Sequence, residues 1–327
     1  MSHHTHFTTE ERAKSSVLKE LGYKNCGITK IIGKSESAVS REFKRNANSD
    51  GSYSPQEADK MYRERRLNCG RKLMLATDSE AREYVEEKLE QGWSPEQISG
   101  RAKLEHKRFK LSYNTIYRGF ENGTLTKKLK LCLRLKRVKN RKRRDDDKCG
   151  KIPDTILIHK RPEAANKRED IGHWESDTVI GKRGTGCIGT HVERKSGYLE
   201  AFKMPDKTDE AFNSGTEALF EHLPEVLKKS FTVDNGKEFY SHKKLTEETG
   251  MIVCFCDPHR PSQRGSNENT NGLLRQYFPK RSSFEDITDE RLAEVVELIN
   301  NRPRKRLGYK TPAGVLSEYL SPSLNVS

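Results

Sequence analysis

The stretch FTVDNGKEF, residues 231–239, is the most informative short segment in the second half of the chain. It opens as an apolar strand, places Asp234 at the strand end and then turns through Asn235-Gly236, a pair that readily supplies the positive φ angles of tight turns. Asp234 therefore either belongs to an ordinary β-turn or is an active-site carboxylate held at a strand end. These nine residues leave both interpretations open, so the rest of the chain has to separate them.

The basic charge of the chain is concentrated in its first half. Residues 1–150 carry 35 Lys and Arg against 21 Asp and Glu, whereas residues 151–327 carry 27 of each. Lys and Arg displace the counterions condensed on phosphates, so this asymmetry predicts a nucleic-acid-binding first half. An anionic membrane surface is the other candidate partner. At 327 residues the chain is long enough for two or more domains.

Membrane and metal signals are weak. No apolar run approaches the roughly 20 residues of a membrane span, and the first residues lack the apolar core of a signal peptide. The seven cysteines are scattered and form no CxxC pair, which is typical of reduced thiols, so we expect a soluble, cytoplasmic protein. Cys254, Cys256 and His259 could in principle ligate a metal, but the apolar run MIVCFC favours a buried strand.

The N-terminal region has the pattern of a helix-turn-helix. A helix with Thr9 as its N-cap precedes a short helix, a break at Gly33 and a third helix with Ser35 as its N-cap. The expected apolar positions are Val17, Leu18, Leu21, Ile28, Ile31, Ile32, Val39 and Phe43. Hydroxyl and basic side chains on the outer face of the third helix suit a major groove, although an ordinary basic surface helix is the simpler alternative. The candidate DNA-binding residues are Ser37, Ser40, Arg41, Lys44 and Arg45.

A second region repeats this pattern. Ser94-Pro95 marks a helix start with proline at the first helical position, and Ser112 caps a further helix. Ile98, Leu104, Ile116 and Phe120 are its expected inward positions. Two such regions strengthen the prediction of DNA binding and indicate a long or composite site. The candidate contacts here are Asn114, Thr115, Tyr117 and Arg118.

A densely basic segment follows and separates these regions from the rest of the chain. Its tail, KNRKRRDDDKCGK, is typical of a flexible linker, and we interpret it as a hinge that also lies along a DNA backbone. The predicted domains are a helix-turn-helix at 1–50, a second helix-turn-helix region at 51–122, the linker at 123–155 and a catalytic core at 156–320.

The second half alternates strands and helices. Three strands are followed by helix, strand, helix, strand and two helices, which predicts a mixed α/β sheet with helices on its faces. Asp177 lies on the first predicted strand, Asp234 ends the fourth and Glu268 begins the helix after the fifth. Such carboxylates could together hold divalent cations for phosphoryl transfer. Each acid alone could equally be an ordinary surface charge.

Five motifs carry a resemblance to a known family. They read WESDTVIG at 174–181, ERKSGY at 193–198, TVDNGKEF at 232–239, RGSNENTNGLLRQYFPK at 264–280 and NRPRKRLGYKTPA at 301–313. In this order they resemble the RNase H-like DDE core of integrases and transposases, and more closely the bacterial transposases of the insertion sequence thirty family. The resemblance covers nearly all of 155–320 and extends more loosely to the N-terminal helix-turn-helix.

The resemblance implies a fold, an activity and a site. The expected fold is α/β, with an RNase H-like mixed-sheet catalytic core preceded by an all-α helix-turn-helix region. The implied catalytic and metal-binding triad is Asp177, Asp234 and Glu268, holding two Mg²⁺ or Mn²⁺ ions, with Asn271 and Arg275 as further DNA contacts. The implied enzyme binds the terminal inverted repeats of an insertion sequence in double-stranded DNA, cleaves their 3′ ends and transfers the strands to target DNA. Joining two ends implies at least a dimer.

Two other functions fit parts of the pattern. A DNA-binding regulator with an inactive core would explain the charge and the two helical regions, but it predicts the loss of at least one acid, and all three are present. A metal-dependent nuclease that cuts without joining is poorly separated from a transposase by the residues alone.

Overall fold

The computed structural model describes residues 6–48, 50–67, 69, 72–133, 152–258 and 260–321. The chain divides into two compact units, Met1–Leu73 and Met74–Ser327. Most of the predicted linker at 123–155 lies outside the described residues. His259, the possible metal ligand beside Cys254 and Cys256, also lies outside them.

The first unit is helical. Its helices are α1 (Thr9–Glu20), α2 (Asn25–Ile32), α3 (Glu36–Asn46) and α4 (Pro55–Leu67). Gly33 ends α2 at a φ of 74°, and the Ser35 hydroxyl caps α3 by accepting a hydrogen bond from the Ala38 N–H. Val39 and Phe43 are buried, so the three helices predicted here, the break and the inner face of the third helix are confirmed.

Helix α1 departs from the expected pattern. Its N-cap is Thr8 rather than Thr9, and Val17 and Leu21 are exposed. Arg12 is buried instead, because its guanidinium forms ion pairs with Glu42 on α3 and Asp59 on α4. A buried charge is tolerated where partners satisfy it. Because Asp59 lies on α4 and α4 packs on α1, the first unit extends past residue 50.

The second unit begins with five short helices. They are α5 (Met74–Thr77), α6 (Ser79–Glu90), α7 (Pro95–Leu104), α8 (Tyr113–Glu121) and α9 (Lys127–Lys130). Ser94 and Gln97 form a capping box at the start of α7, and the Ser112 hydroxyl caps α8. Ile98, Ile116 and Phe120 are buried as expected, whereas Leu104 at the end of α7 is exposed.

A six-stranded mixed sheet forms the centre of the second unit. Its strands are β1 (Ile156–Leu157), β2 (His173–Ile180), β3 (Cys187–Glu193), β4 (Leu199–Met204), β5 (Ser230–Val233) and β6 (Ile252–Phe255), in the order β1-β6-β5-β2-β3-β4. Strands β2, β3 and β4 are antiparallel, whereas β2, β5, β6 and β1 pair in parallel. Strand β1 was not predicted, because two residues carry no periodic signal.

Helices cover both faces of this sheet. They are α10 (Glu163–Lys167), α11 (Asp209–Glu221), α12 (His242–Thr249), α13 (Gly265–Tyr277), α14 (Asp289–Asn300) and α15 (Pro312–Leu320). One core gathers Trp174, Phe212 and Phe231, and a second joins Val179 of β2 to Leu273 of α13. The predicted mixed α/β sheet with helices on its faces is confirmed.

The segment after α14 joins the sheet domain to α7. The Arg302 Nε donates to Gln97 Oε1 at 2.9 Å, and the Gln97 Nε2 donates to the Pro303 carbonyl at 2.8 Å. Lys305 pairs with Glu96 at 2.7 Å, and the Tyr309 ring lies where a Cβ on Gly100 would stand. Helix α7 and the sheet therefore belong to one unit.

Candidate active site

Asp177 lies on β2, on the face that α13 covers. Its Oδ2 accepts a hydrogen bond from the Asn271 Nδ2 of α13 at 3.1 Å, and its Oδ1 accepts one from the Thr178 N–H at 2.9 Å. The carboxylate is partly exposed. The strand and α13 thus orient Asp177 while leaving it open to solvent.

Asp234 follows directly after β5, beside Asp177. Strands β2 and β5 are parallel, and their register pairs Glu175 with Thr232. Two residues further along each strand this register reaches Asp177 and Asp234, so the adjacent strands bring the two carboxylates to the same level. The sequence placed both residues correctly on or after their strands.

The turn after Asp234 differs from the predicted one. Gly236 has a φ of −68° and leads into a short 3₁₀ helix, Lys237–Phe239, so Asn235-Gly236 makes no turn with positive φ. The Asn235 Nδ2 instead donates to the Cys256 carbonyl at 3.0 Å, and the Gly236 N–H donates to Asp234 Oδ1 at 2.9 Å. Glycine is needed at 236 because a Cβ there would collide with the carboxylates of Glu238 and Asp234.

Arg264 joins the two aspartates. Its Nη2 lies 2.6 Å from Asp234 Oδ2, and its Nη1 lies 3.4 Å from Asp177 Oδ1. Burial lowers the pKa of the guanidinium, but the two aspartates more than offset that effect, and the net change is a raised pKa. A single cation thus holds both carboxylates.

Glu268 lies on the exposed side of the first turn of α13. It stands three residues before Asn271, and this spacing puts both on one helix face. Among the described residues, however, no group of three or more His, Cys, Asp or Glu side chains is arranged to hold a metal ion. The structure brings Asp177 and Asp234 together, whereas Glu268 is not gathered with them into such a group.

Glu238, four residues after Asp234, is a fourth acid near the two aspartates. It is 1% exposed, and its Oε1 accepts a hydrogen bond from the Thr178 hydroxyl at 2.9 Å and pairs with Lys207 at 2.9 Å. Its Oε2 is buried and finds no hydrogen-bond partner within the part of the chain that the structure describes. Burial acts to lower the pKa of Lys207, but Glu238 and then Asp234 and Asp177 offset it, so the net change is a raised pKa. In the sequence, its place in the TVDNGKEF motif is the only sign that Glu238 belongs to the site.

Glu175 anchors the start of α13 beneath the aspartates. It is fully buried and forms an ion pair with Arg194, and its Oε2 accepts a hydrogen bond from the Asn267 N–H at 2.9 Å. The Asn267 side chain in turn donates to the Glu175 carbonyl at 2.8 Å. Sequence reasoning missed this set, because nothing in the local pattern shows that Glu175 is buried.

Arg275 lies further along α13. Its Nη2 donates to the Ile180 carbonyl at the end of β2 at 2.8 Å, and its Nη1 is buried without a hydrogen-bond partner. Burial lowers its pKa, and Asp177 opposes that effect. Arg275 is therefore near the aspartates, and its predicted contact with DNA phosphate stays a prediction.

The candidate DNA-binding residues of the helical regions occupy outer faces. All five candidates on α3 are exposed, as are Asn114, Tyr117 and Arg118 on α8. Thr115 is partly buried, and its hydroxyl lies 2.9 Å from the Ser112 Oγ at the helix cap. Their contact with DNA stays a prediction. No described helix has both the length and the apolar character of a membrane span.

Comparisons with known proteins cover nearly the whole chain. A profile of the integrase core domain matches residues 167–261. The transposase for insertion sequence element IS1086 of Cupriavidus metallidurans is 37% identical over 320 residues, covering 95% of this chain and 94% of that protein. The transposase InsI for insertion sequence element IS30C of Escherichia coli is 35% identical over 322 residues, covering 95% and 83%. The transposase for IS4351 of Bacteroides fragilis is 36% identical over 312 residues, covering 94% of each.

These likenesses span the helical regions as well as the sheet, and they confirm the integrase-type core that the motifs implied. The protein is a transposase with a polynucleotidyl-transferase core, an enzyme type that acts on DNA and uses divalent metal ions. The chain therefore belongs to the IS30 family of insertion-sequence transposases.

Proposed function

We propose that this transposase binds the terminal inverted repeats of its insertion sequence, cleaves their 3′ ends and joins the freed ends to target DNA at one site formed by Asp177, Asp234 and Glu268. The observation that supports this most strongly is the shared guanidinium. Two carboxylates from neighbouring strands already hold one cationic group between them. Such a pair suits a divalent cation, since hard cations take carboxylate oxygens as ligands.

The oxygen donors of the three acids suit a hard divalent cation. Asp177 and Asp234 would supply oxygens from the sheet, and Glu268 would supply a third carboxylate from the exposed face of α13. We infer two Mg²⁺ or Mn²⁺ ions, because phosphoryl transfer uses one for the attacking oxygen and one for the leaving oxygen. When bound, the ions would activate water or a 3′-hydroxyl and stabilise the charge of the leaving oxygen.

The chain's own groups position this chemistry. Asn271 and the Thr178 N–H hold the Asp177 carboxylate, while the Gly236 N–H holds Asp234. Glu238 ties Thr178 to Lys207 directly beside the aspartates. Preorganised ligands of this kind favour reaction, because little reorganisation remains when substrate binds.

DNA recognition belongs in this proposal to the two helical regions. Exposed Ser, Arg and Lys side chains on α3 suit base edges and phosphates, and α8 adds Asn114 and Arg118. Two ends must be held together for joining, so the working form would be at least a dimer. Because its proposed substrate is DNA, the enzyme would act in the cytoplasm, on the nucleoid.

The test is an assay with a labelled duplex that carries the element end and an unlabelled target duplex. The full chain with Mg²⁺ or Mn²⁺ should nick the 3′ end and produce a longer labelled strand joined to the target, and an excess of chelator should abolish both. Nicking without any joined strand would support the nuclease alternative. Binding with neither product in either metal would support the regulator with an inactive core.

A further inference from the structure

The start of α13 borders a small cavity rich in arginine. The cavity has a volume of about 120 Å³, and Arg168, Arg304 and Arg306 line it together with Ser266. Arg168 follows α10, whereas Arg304 and Arg306 belong to the NRPRKRLGYKTPA motif after α14. No acidic side chain is among the described residues that line it. Three cationic groups from two segments therefore converge on one space.

The charges of Arg168 and Arg306 are not cancelled within the cavity. Arg306 Nη1 donates to the Lys195 carbonyl at 2.8 Å, and Arg168 Nη1 donates to the Arg194 carbonyl. A backbone carbonyl satisfies a donor without neutralising it. Burial and then repulsion from Arg168 lower the pKa of Arg306, and Glu193 and Glu175 only partly oppose this. An anion in the cavity would relieve that repulsion.

The first turn of α13 adds a neutral donor. Helix α13 begins at Gly265, whose missing side chain leaves open space at the Cβ position. The Ser266 Oγ is buried and has no hydrogen-bond partner among the described residues. A hydroxyl thus meets the arginines at the same place.

The size and chemistry of the cavity indicate its ligand. Guanidinium groups and a hydroxyl together match the oxygens of a phosphate group. The volume suits one phosphate and is too small for a nucleotide. At 100° per residue, the cavity side of α13, with Ser266 and Asn269, is nearly opposite the side that carries Glu268 and Asn271. One helix therefore separates this cavity from the catalytic carboxylates.

We propose that this cavity binds one backbone phosphate of the DNA, at a distance from the reacting phosphodiester and on the other side of α13. The inference rests on the proposed function, because it assumes that DNA lies at the aspartates. It gives the basic residues of the NRPRKRLGYKTPA motif a role in holding DNA, beside the contacts that Arg302 and Lys305 make with α7.

The experiment measures binding of the full chain to an element-end duplex by fluorescence anisotropy, without divalent metal, over a range of salt. Arg306→Gln and Arg168→Gln should each weaken binding about 5- to 30-fold and reduce the salt slope by about one. Arg306→Lys should retain most of the affinity. The matched control is Arg291→Gln, an exposed arginine paired with Glu294, and its effect should stay below about twofold.

A phosphate scan then identifies the ligand. Single phosphates of the duplex are replaced in turn by neutral methylphosphonate. At one position this replacement should weaken binding by the wild type about 10-fold and leave the affinity of Arg306→Gln unchanged, since the contact is already lost. If Arg306→Gln lowers the melting temperature, Arg168→Gln, from another segment, provides the same comparison.

Unchanged affinity and salt slope in both Gln variants would overturn the inference. So would a scan in which replacing each phosphate weakens DNA binding equally in the wild type and in Arg306→Gln. Inorganic phosphate at constant ionic strength could compete with DNA binding while no position in the scan loses its effect in Arg306→Gln. That result would mean that the cavity binds a free anion, and it would also overturn the inference. A failure of the strand-joining assay with normal coupling in the scan would count against the proposed function alone.

Discussion

The side chain of Arg264 is the group at the site whose role is easiest to isolate. It fills the position between Asp177 and Asp234 and is bonded to both. Two carboxylates so close would repel each other without a cation, and the arginine supplies one within the chain. Metal binding would have to replace these ion pairs.

Removing this guanidinium should therefore raise metal affinity. We expect Arg264→Gln to bind Mn²⁺ about 5- to 30-fold more tightly than the wild type, corresponding to roughly 1–2 kcal/mol of released competition. The variant should also unfold at a lower temperature without metal and gain more stability when metal is added. Calorimetric titration with Mn²⁺ measures the first effect, and thermal unfolding measures the second.

Arg264→Lys is the control, because it keeps the positive charge and should stay nearer to the wild type. Equal Mn²⁺ affinity in Arg264→Gln and wild type would show that the guanidinium does not compete for the position of the metal.

Glu200 supplies a prediction about pH. It lies on β4 beside a cavity that α14 also lines, and burial raises its pKa to about 7 from the ordinary 4.5. Between about pH 4.5 and pH 7 the folded chain therefore keeps a proton on Glu200 that the unfolded chain has released, so the free energy of unfolding falls as the pH rises through this range. Above pH 7 the buried Glu200 is charged in the folded chain, and the loss of stability is complete.

Glu200→Gln should remove that penalty. We expect the variant to match the wild type near pH 4.5 and to exceed its free energy of unfolding by roughly 2 kcal/mol at pH 8. Urea unfolding at both pH values measures the difference. Glu297→Gln, an exposed acid at the same cavity, should show no comparable change between the two. A constant offset at all pH values would contradict the assignment.

At the scale of elements, the link between β2 and α13 determines where the third carboxylate stands. Glu175 binds Arg194 within the sheet and the Asn267 N–H at the helix start. This contact fixes the first turn of α13, which carries Glu268. The helix position thus depends on one buried acid on β2.

Glu175→Gln should be costly, because it leaves Arg194 buried without its charged partner. Breaking a buried pair in this way costs about 3–5 kcal/mol, and we expect a loss of roughly 3 kcal/mol in urea unfolding. Glu225→Gln breaks an exposed pair with Lys228 and should cost less than about 1 kcal/mol. Similar losses in both variants would mean that Glu175 does not anchor the helix.

The sequence predicted elements where a periodic pattern and a cap coincided. Helix α3 is an example, with the Ser35 cap, the Gly33 break and the buried Val39 and Phe43. Helix α1 shows the limit, because its buried face is formed by two serines, which hydrogen-bond within α1, and by Arg12, which is satisfied by long-range partners. Such partners lie on other helices, and a local apolar pattern cannot reveal them.

The same limit applies at the site. The places of Asp177 on its strand and of Asp234 after its strand were predictable from the strand pattern, whereas their meeting at one site was implied by the resemblance to integrases and transposases. The buried Glu238 and the bridging Arg264 were not predictable, since both depend on how distant segments meet. The Asn235-Gly236 pair was misread as a turn with positive φ, because its glycine is required by neighbouring carboxylates rather than by its own φ angle.

At the scale of the whole molecule, the chain divides after Leu73. Helix α7 is tied to the segment after α14 by Gln97, Arg302 and the Lys305–Glu96 pair. Helix α7 therefore cannot be removed without exposing these contacts, whereas the first unit ends before α7 begins.

Deleting residues 1–73 should separate end recognition from folding. We expect the remaining chain to unfold cooperatively, because its core is complete, and to lose at least about 10-fold in its preference for the element end over random DNA. Competition binding with both duplexes and thermal unfolding measure these two results. Undiminished preference would place end recognition in the second unit alone.

If Asp177, Asp234 and Glu268 act as one catalytic site, each of the three carboxylates is needed for strand joining, and single variants measure that need. Asp177→Asn, Asp234→Asn and Glu268→Gln should each reduce the joined product more than about 1000-fold while end binding stays within about threefold of the wild type. Asp286→Asn, an exposed acid of the same unit, should join strands normally. Wild-type joining by any one of the three variants would contradict the account.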